Sequence, residues 1–279
     1  MPTDSLPSET TVGRVTLRVA DLDGVAEFYH TVVGLDIVEE GDDRVVLGAG
    51  GRALLVLEHA PDTPERPREA AGLFHTAVCV PDRGALADTL DRIEDGWDLA
   101  GASDHRVSDA LYLWDPEDNG VEIYCDRPRS AWPTEDGRVG MDTLPLDLDA
   151  LSDEATGAES VPADTDVGHV HLEVTDLSAA REFYADTLGL GVRQEDSGVL
   201  FVAAGDYHHH VGLNVWNGRS EPAAGRGLAW YELLVPDEAS LVAARERLQN
   251  AGVEVTDTDD GIAVADADGI GVCLSVADR

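Results

Sequence analysis

The sequence predicts an α+β fold built from four copies of one small unit: a strand, a helix and three further strands. Three observations predict it. Residues 13–35 (GRVTLRVADLDGVAEFYHTVVGL) align without a gap on 168–190 (GHVHLEVTDLSAAREFYADTLGL), with Leu17/Leu172, Asp21/Asp176, Phe28/Phe183, Tyr29/Tyr184 and Gly34/Gly189 all separated by 155 positions. Residues 73–81 (LFHTAVCVP) have their counterpart at 228–236 at the same separation. Within each copy the apolar period changes from two to about 3.6 and back to two.

The first module, about 12–60, opens with an alternating strand and an Asp-Leu turn able to cap the segment in which Val25, Phe28 and Tyr29 recur at helical spacing. Gly34 suits the end of that helix, and three short strands follow near 36–40, 44–48 and 53–58. In the second module, 72–126, the first strand breaks at Pro81, and Leu86, Leu90 and Ile93 mark the helix. The third, 167–217, repeats the first, with Ala180, Phe183 and Tyr184 on its helix and strands near 191–195, 199–203 and 210–216. The fourth, 228–277, repeats the second, with Leu241, Ala244 and Leu248 on the helix. Residues 127–165, rich in Pro, Asp and Ser, read as a partly packed linker between an N-terminal half, 1–126, and a C-terminal half, 166–279.

Charge narrows the function classes. The chain has 56 acidic and 19 basic residues, a formal net charge of −37, and all the basic residues are arginine. Such a surface repels nucleic acid and anionic lipid, and its even spread along the chain reads as a halophilic solubility adaptation. Neither a secretory signal nor an apolar run of membrane-spanning length is visible, so a cytoplasmic location is expected. Cys79, Cys125 and Cys273 are odd in number, far apart and set in apolar strands, which favours reduced core thiols.

The stretch that carries chemistry is 167–177, VGHVHLEVTDL. Val170, Leu172 and Val174 alternate with His169, His171 and Glu173, so one strand face presents two imidazoles and a carboxylate, a candidate metal surface. A tandem of such modules carrying HxxLxVxDL, FY and GL resembles the vicinal oxygen chelate superfamily of glyoxalases, bleomycin-resistance proteins and extradiol dioxygenases. The stretches SDHRVSDALY (103–112), DPEDNGVEIY (115–124) and DYHHHVGLN (206–214) resemble its two-half catechol-2,3-dioxygenase branch most closely.

That resemblance implies open barrels made from pairs of modules, with metal ligands on the first and last strands. It assigns one ligand three residues before the Leu of HxxLxV, which selects His169 and His75, and one Glu after the DPxxNG turn, which selects Glu122. The same slots hold Arg14, Trp230 and Cys273 in the other modules, none of them suited to the role. The surviving set draws on modules two and three and so implies pairing of two with three and of one with four. In the second pair, Arg14, Thr16 and Arg18 are expected to face Trp230 and Glu232 as a filled, structural barrel.

Two imidazoles and one carboxylate suit non-haem Fe(II), with Mn(II) second. The resemblance further implies catalytic roles for His209, with His208 and His210 as alternatives to it, and for Tyr112, which lies ten residues before Glu122 at matching strand parity, and His105. His30 and His59 read as structural or solvated, His171 as a pocket wall, and the five tryptophans as core or linker anchors. The expected function is extradiol cleavage by O2 of a catechol- or hydroquinone-type ring in aromatic catabolism. A glyoxalase-like isomerase or lyase and a metal-free small-ligand or resistance protein are the alternatives. The expected partners are the small aromatic substrate and O2, with homo-oligomerisation left open.

Overall fold

A computed structural model describes residues 5–135 and 138–277. The first module comprises β1 (Thr11–Val19), α1 (Leu22–Phe28), β2 (Asp36–Glu40), β3 (Arg44–Ala49) and β4 (Arg52–His59). The second comprises β5 (Gly72–Val80), α2 (Arg83–Gly96), β6 (Gly101–Asp104), β7 (Ser108–Trp114) and β8 (Gly120–Asp126). The intervening segment carries short pieces: β9 (Thr134–Glu135), β10 (Arg138–Val139), β11 (Leu144–Pro145) and α3 (Leu148–Ser152). The third module follows with β12 (Asp166–Glu173), α4 (Leu177–Arg181), β13 (Gly191–Asp196), β14 (Val199–Ala203) and β15 (Val211–Asn214). The fourth holds β16 (Gly227–Val235), α5 (Glu238–Asn250), β17 (Thr256–Asp257), β18 (Gly261–Ala265) and β19 (Gly271–Val276).

Two large sheets result. One runs β17-β18-β19-β16-β1-β4-β3-β2 and the other β11-β6-β7-β8-β5-β12-β15-β14-β13. Among the described residues no helix is long and apolar enough to cross a membrane.

Every module helix opens on an aspartate placed just after the first strand. Asp21 accepts from the Gly24 N–H, Asp82 from Ala85, Asp176 from Ser178 and Ala179, and Asp237 from Ser240, each satisfying donors that the first helical turn leaves unpaired. The helices of modules one and three are short and pass into a π-helical turn, Tyr29–Val33 and Glu182–Thr187. Gly34 and Gly189 follow at φ 89° and 91°, a left-handed conformation that disfavours any side chain. The β15 strand is shorter than its sequence pattern, because the Asn214 side chain accepts from the Trp216 N–H and turns the chain at Val215.

The chain divides into two compact units, each with its own core. The unit of residues 17–63 and 75–168 buries Leu17, Tyr29, Leu47, Leu57, Leu86, Leu90, Ile93 and Leu111. Here the buried Tyr29 donates to Asp115 Oδ2 at 3.4 Å, and Asp115 also accepts from Glu117 N, Asn119 N and Asn119 Nδ2 at 2.9 Å each. Glu117 accepts from the Ala20 and Asp21 N–H groups at 2.6 Å, gripping the strand-to-helix turn of module one. The segment after β8 is held to α2 by Asp88, which accepts from Thr156 N, Thr156 Oγ1 and Gly157 N at 2.6, 2.7 and 2.7 Å.

The unit of residues 1–16, 64–74 and 169–279 uses the same devices 150-odd residues on. Tyr184 donates to Asp266 Oδ2 at 2.9 Å, and Asp268 accepts from Thr175 N and Oγ1 at 2.8 and 2.5 Å. Burial pushes both Asp115 and Asp266 up to about 6, outweighing the donors that favour their ionised forms. The repeated Tyr of the FY pair therefore ties the first module of each half to the turn before the last strand of the second.

Two expectations need correction. Trp114 and Trp216 are not core anchors: they are 48% and 55% exposed, Trp114 as the last residue of β7 and Trp216 two residues past the end of β15, where the sheet gives out. Arg18 does not join the buried set of Arg14 but lies half-exposed, 3.9 Å from Glu58 on β4, because the long side chain reaches solvent while keeping an ion-pair partner.

Candidate metal centre

His75 stands on β5, and β5 runs parallel to β8 with Ala77 opposite Glu122 and Thr76 opposite Val121. Strand alternation puts His75 on the face of Ala77, so His75 Nε2 reaches Glu122 Oε2 at 2.9 Å, with both side chains buried. Glu122 follows the Asp115–Asn119 turn, whose hydrogen bonds set the start of β8. Tyr112 is the direct antiparallel partner of Glu122 across β7 and β8, and its ring lies 5.7 Å from that of His75. Burial, and then the nearby Glu122 charge, push the Tyr112 phenol well above its ordinary value, so its hydroxyl keeps its proton through neutral pH.

His105 completes this group. Its Nδ1 lies 2.7 Å from the Asp142 carbonyl oxygen and its Nε2 lies 2.6 Å from the Tyr112 hydroxyl. A carbonyl only accepts, so Nδ1 carries a proton, and in that tautomer the Tyr112 O–H donates to Nε2. No residue type marks the role of position 142, since the acceptor is a main-chain oxygen, and the sequence offers no signal for it.

On β12, His169, His171 and Glu173 share one face and meet three different fates. Glu173 is buried and held by Arg66 Nη2 at 2.9 Å, Arg219 Nη2 at 2.8 Å and Asn217 Nδ2 at 2.6 Å. His171 packs among rings, with Phe74, Trp216 and Phe201 at 5.2, 5.3 and 5.7 Å. Gly212 lies beside it in register on β15, and a Cβ there would sit 2.9 Å from the imidazole. His169 is 2% exposed and packs against His209 with ring centroids 4.1 Å apart and planes tilted by 50°.

The three adjacent histidines after β14 are separated by their partners. His210 Nδ1 accepts from the Ala204 N–H at 3.1 Å, while its backbone extends the β15 ladder to Val170 and Val202. His208 and His209 face each other, Nδ1 to Nδ1, at 2.8 Å. His209 also contacts Phe201 at 4.6 Å, and His208 lies under Tyr207 at 4.1 Å.

His75, Glu122 and His169, all buried, each offer one ligand atom within 4.8 Å of the others. Two neutral nitrogen donors and one anionic oxygen form a donor set suited to a divalent first-row metal, and a three-residue set leaves coordination positions for other ligands. It is the group of this kind found among the described residues.

Comparison with known proteins fits this architecture. The chain matches the family model described as the Glyoxalase/Bleomycin resistance protein/Dioxygenase superfamily over residues 11–123 and again over 166–274, and it belongs to that superfamily. It is 38% identical over 272 residues to the catechol-2,3-dioxygenase of Bacillus subtilis strain 168, covering 94% of this chain and 95% of that one. Biphenyl-2,3-diol 1,2-dioxygenase 3 of Rhodococcus globerulus is 30% identical over 114 residues, 39% of this chain and 60% of that one. Among solved structures, glyoxalase I of Zea mays shares the fold at a TM-score of 0.60 and 15% identity, with 96% of this chain and 92% of that one covered. A candidate dioxygenase of Bacillus subtilis strain 168 aligns at a TM-score of 0.66 and 14% identity, with coverages of 96% and 86%.

Proposed function

We propose that this chain is a metal-dependent extradiol dioxygenase that cleaves a catechol- or hydroquinone-type ring with O2. The enzyme class rests on kinship with a catechol-2,3-dioxygenase over nearly the full length of both chains. The observation that carries the chemistry is the buried His75, Glu122 and His169 group. Those residues would hold Fe(II), with Mn(II) the second choice. When bound, the metal lowers the pKa of a substrate hydroxyl and gives both reactants a common centre.

The chain's own side chains do the remaining work. His209, packed against His169, takes the phenolic proton and returns it to the product side. Tyr112 stays protonated with its O–H donated to His105, whose ring is in turn fixed by the Asp142 carbonyl, so the Tyr112 hydroxyl oxygen is held as an acceptor for a substrate hydroxyl. Burial of the ligand set excludes bulk water and strengthens these contacts. The domain reading, halves 1–126 and 166–279 joined by 127–165, and the pairing of modules two with three and one with four belong to the same proposal.

The test is anaerobic Fe(II) loading in molar salt, as the net charge of −37 recommends, followed by catechol and O2. Growth of a yellow ring-fission product is expected. A fully loaded protein that cleaves no member of a panel of catechols and hydroquinones would overturn the reading, and Mn(II) loading in parallel ranks the two metals.

A further inference from the structure

We infer that Arg106 is a positioning residue: paired with Asp142, it fastens the segment that follows the second module so that the Asp142 carbonyl holds the His105 ring. The inference rests on the role proposed for His105 and adds to it two residues that act only through that ring.

All the groups involved lie in the unit of residues 17–63 and 75–168. The short β11 pairs with β6, Leu144 opposite Asp104 and Pro145 opposite Ser103, and so carries Asp142 to the turn between β6 and β7. There Asp142 meets His105, 37 positions earlier, through its main chain: its carbonyl oxygen accepts from Nδ1 at 2.7 Å and its N–H faces the His105 carbonyl at 3.4 Å. Both carboxylate oxygens of Asp142 are also engaged. Oδ2 lies 3.1 Å from Arg106 Nη2, and Oδ1 accepts from the Thr143 N–H at 2.9 Å. A carbonyl acceptor is only as well placed as the chain that bears it. Two residues of strand pairing are a weak hold, and the Arg106 ion pair anchors the residue that supplies the acceptor.

The backbone at Arg106 gives a second, independent indication. Among the described residues the non-glycine positions with positive φ are Arg106, at 66°, and Asp118, at 61°. A short polar side chain tolerates that conformation, whereas a long one is uncommon there. The turn imposes it whatever the residue, because Asp104 Oδ1 accepts from the Arg106 N–H at 2.7 Å and the His105 N–H donates to the Ser108 carbonyl at 2.8 Å. Glycine would meet the turn's demand without strain, so an arginine at this place carries a conformational cost that its side chain has to offset. The other flank of the turn is held from β8: the Arg127 N–H donates to the Val107 carbonyl at 2.7 Å, and its Nη2 lies 2.9 Å from Asp104 and 2.5 Å from the buried Asp109. One side of the turn is thus clamped by its own module, and the side bearing the His105 ring by the segment that follows.

The test separates positioning from mere stapling. Arg106→Gly removes the ion pair and the strain together. It is expected to lower kcat about three- to fivefold, the scale of a half-exposed ion pair, with KM for catechol and metal content unchanged and the urea midpoint equal to or above the parent's. Asp142→Ala should lower kcat to the same extent, the Arg106→Gly, Asp142→Ala double variant no further, and Arg106→Lys should stay within about twofold of the parent. The second readout is spectroscopic, on the protein as purified and loaded with Zn(II) as a diamagnetic probe. 1H–15N spectra should show a slowly exchanging His105 Nδ1–H in the parent and in Arg106→Lys, and its faster exchange in Arg106→Gly and Asp142→Ala. A lowered urea midpoint with kcat and the His105 signal unchanged would reduce the pair to a staple and overturn the inference, as would additive losses in the double variant. Failure of the parent to cleave any catechol, with the His105 signals as expected, would sink the proposed function and leave the positioning of His105 by Arg106 and Asp142 standing.

Discussion

Two places in the molecule occupy equivalent strand positions and have opposite contents. In one, His169, His75 and Glu122 form a buried set of metal-type donors. In the other, 155 residues before or after the two histidines and on the matching last strand, stand Arg14, Trp230 and Cys273. Arg14 binds the buried Glu232 through Nε and Nη2 at 3.0 Å each and through its backbone N–H at 3.2 Å, and its guanidinium lies 5.9 Å from the Trp230 ring centre. Ser275 adds a hydroxyl to Glu232 Oε1 at 2.6 Å, and the absence of a Cβ at Gly13 leaves room for that carboxylate, since one built there would lie 2.6 Å from Oε2. Burial and the Glu232 charge push the Cys273 thiol up to about 11, so it is no thiolate ligand at neutral pH. The comparison teaches that the duplicated scaffold supplies positions, and the side chains decide whether the positive charge there is a bound ion or a guanidinium tethered to the chain.

The largest expected effect comes from emptying the donor set. Glu122→Gln or His169→Gln should abolish stoichiometric metal uptake and ring cleavage, measured by metal analysis and product absorbance, while the matched change Cys273→Ser leaves both intact. Breaking the other place should cost stability instead. Arg14→Leu strands the buried Glu232 and is expected to lose about 3–5 kcal/mol in urea unfolding, with kcat of the folded fraction unchanged. An Arg14→Leu, Glu232→Leu double variant that is no more stable than the single one would show that the unpaired charge is not the cause.

A smaller effect separates binding from turnover at the metal-type site. Tyr112→Phe should retain metal and reduce kcat on the order of tenfold to 10², read in steady-state assays of the loaded protein. The smallest effect tests what the two halves share. Asp115→Asn and Asp266→Asn each turn an amide toward hydrogen-bond donors and should each cost about 1–3 kcal/mol near neutral pH.

The pH dependence of these two carboxyls has a defined sign. Both are pushed up to about 6 in the fold from the ordinary aspartate value of 3.8, so the folded chain binds more protons between those limits. Their contribution is fully present below about pH 4, falls as pH rises and is spent above about 6. Each Asn variant should therefore show a shallower fall in unfolding free energy between pH 4 and 6 than the parent. Equal slopes would remove the argument for buried, protonated carboxyls.

Much of the fold was legible before any coordinates. The 155-residue repeat, the aspartate caps at 21 and 176 and the glycines at 34 and 189 are local signals, and local physics enforces them. Period-two alternation likewise placed His75, Glu122 and His169 on the polar faces of their strands, although only a family resemblance singled them out from His171 and Glu173. What stayed hidden depends on partners distant in the chain. Arg66 and Arg219 claim Glu173, Phe74 and Phe201 enclose His171, and the Asp142 carbonyl sets the tautomer of His105.

By itself, then, the sequence determined the number and kind of modules, their capping and the donor types available, because periodicity, turn chemistry and residue identity act over a few residues. Only the tertiary structure decided which polar face residue became a candidate ligand, which an ion-pair partner and which a wall. It also gave three identical neighbours, His208, His209 and His210, different surroundings. The physical reason is that a side chain's role follows from the few ångströms around its polar atoms, and that environment is assembled from strands that lie far apart in the chain.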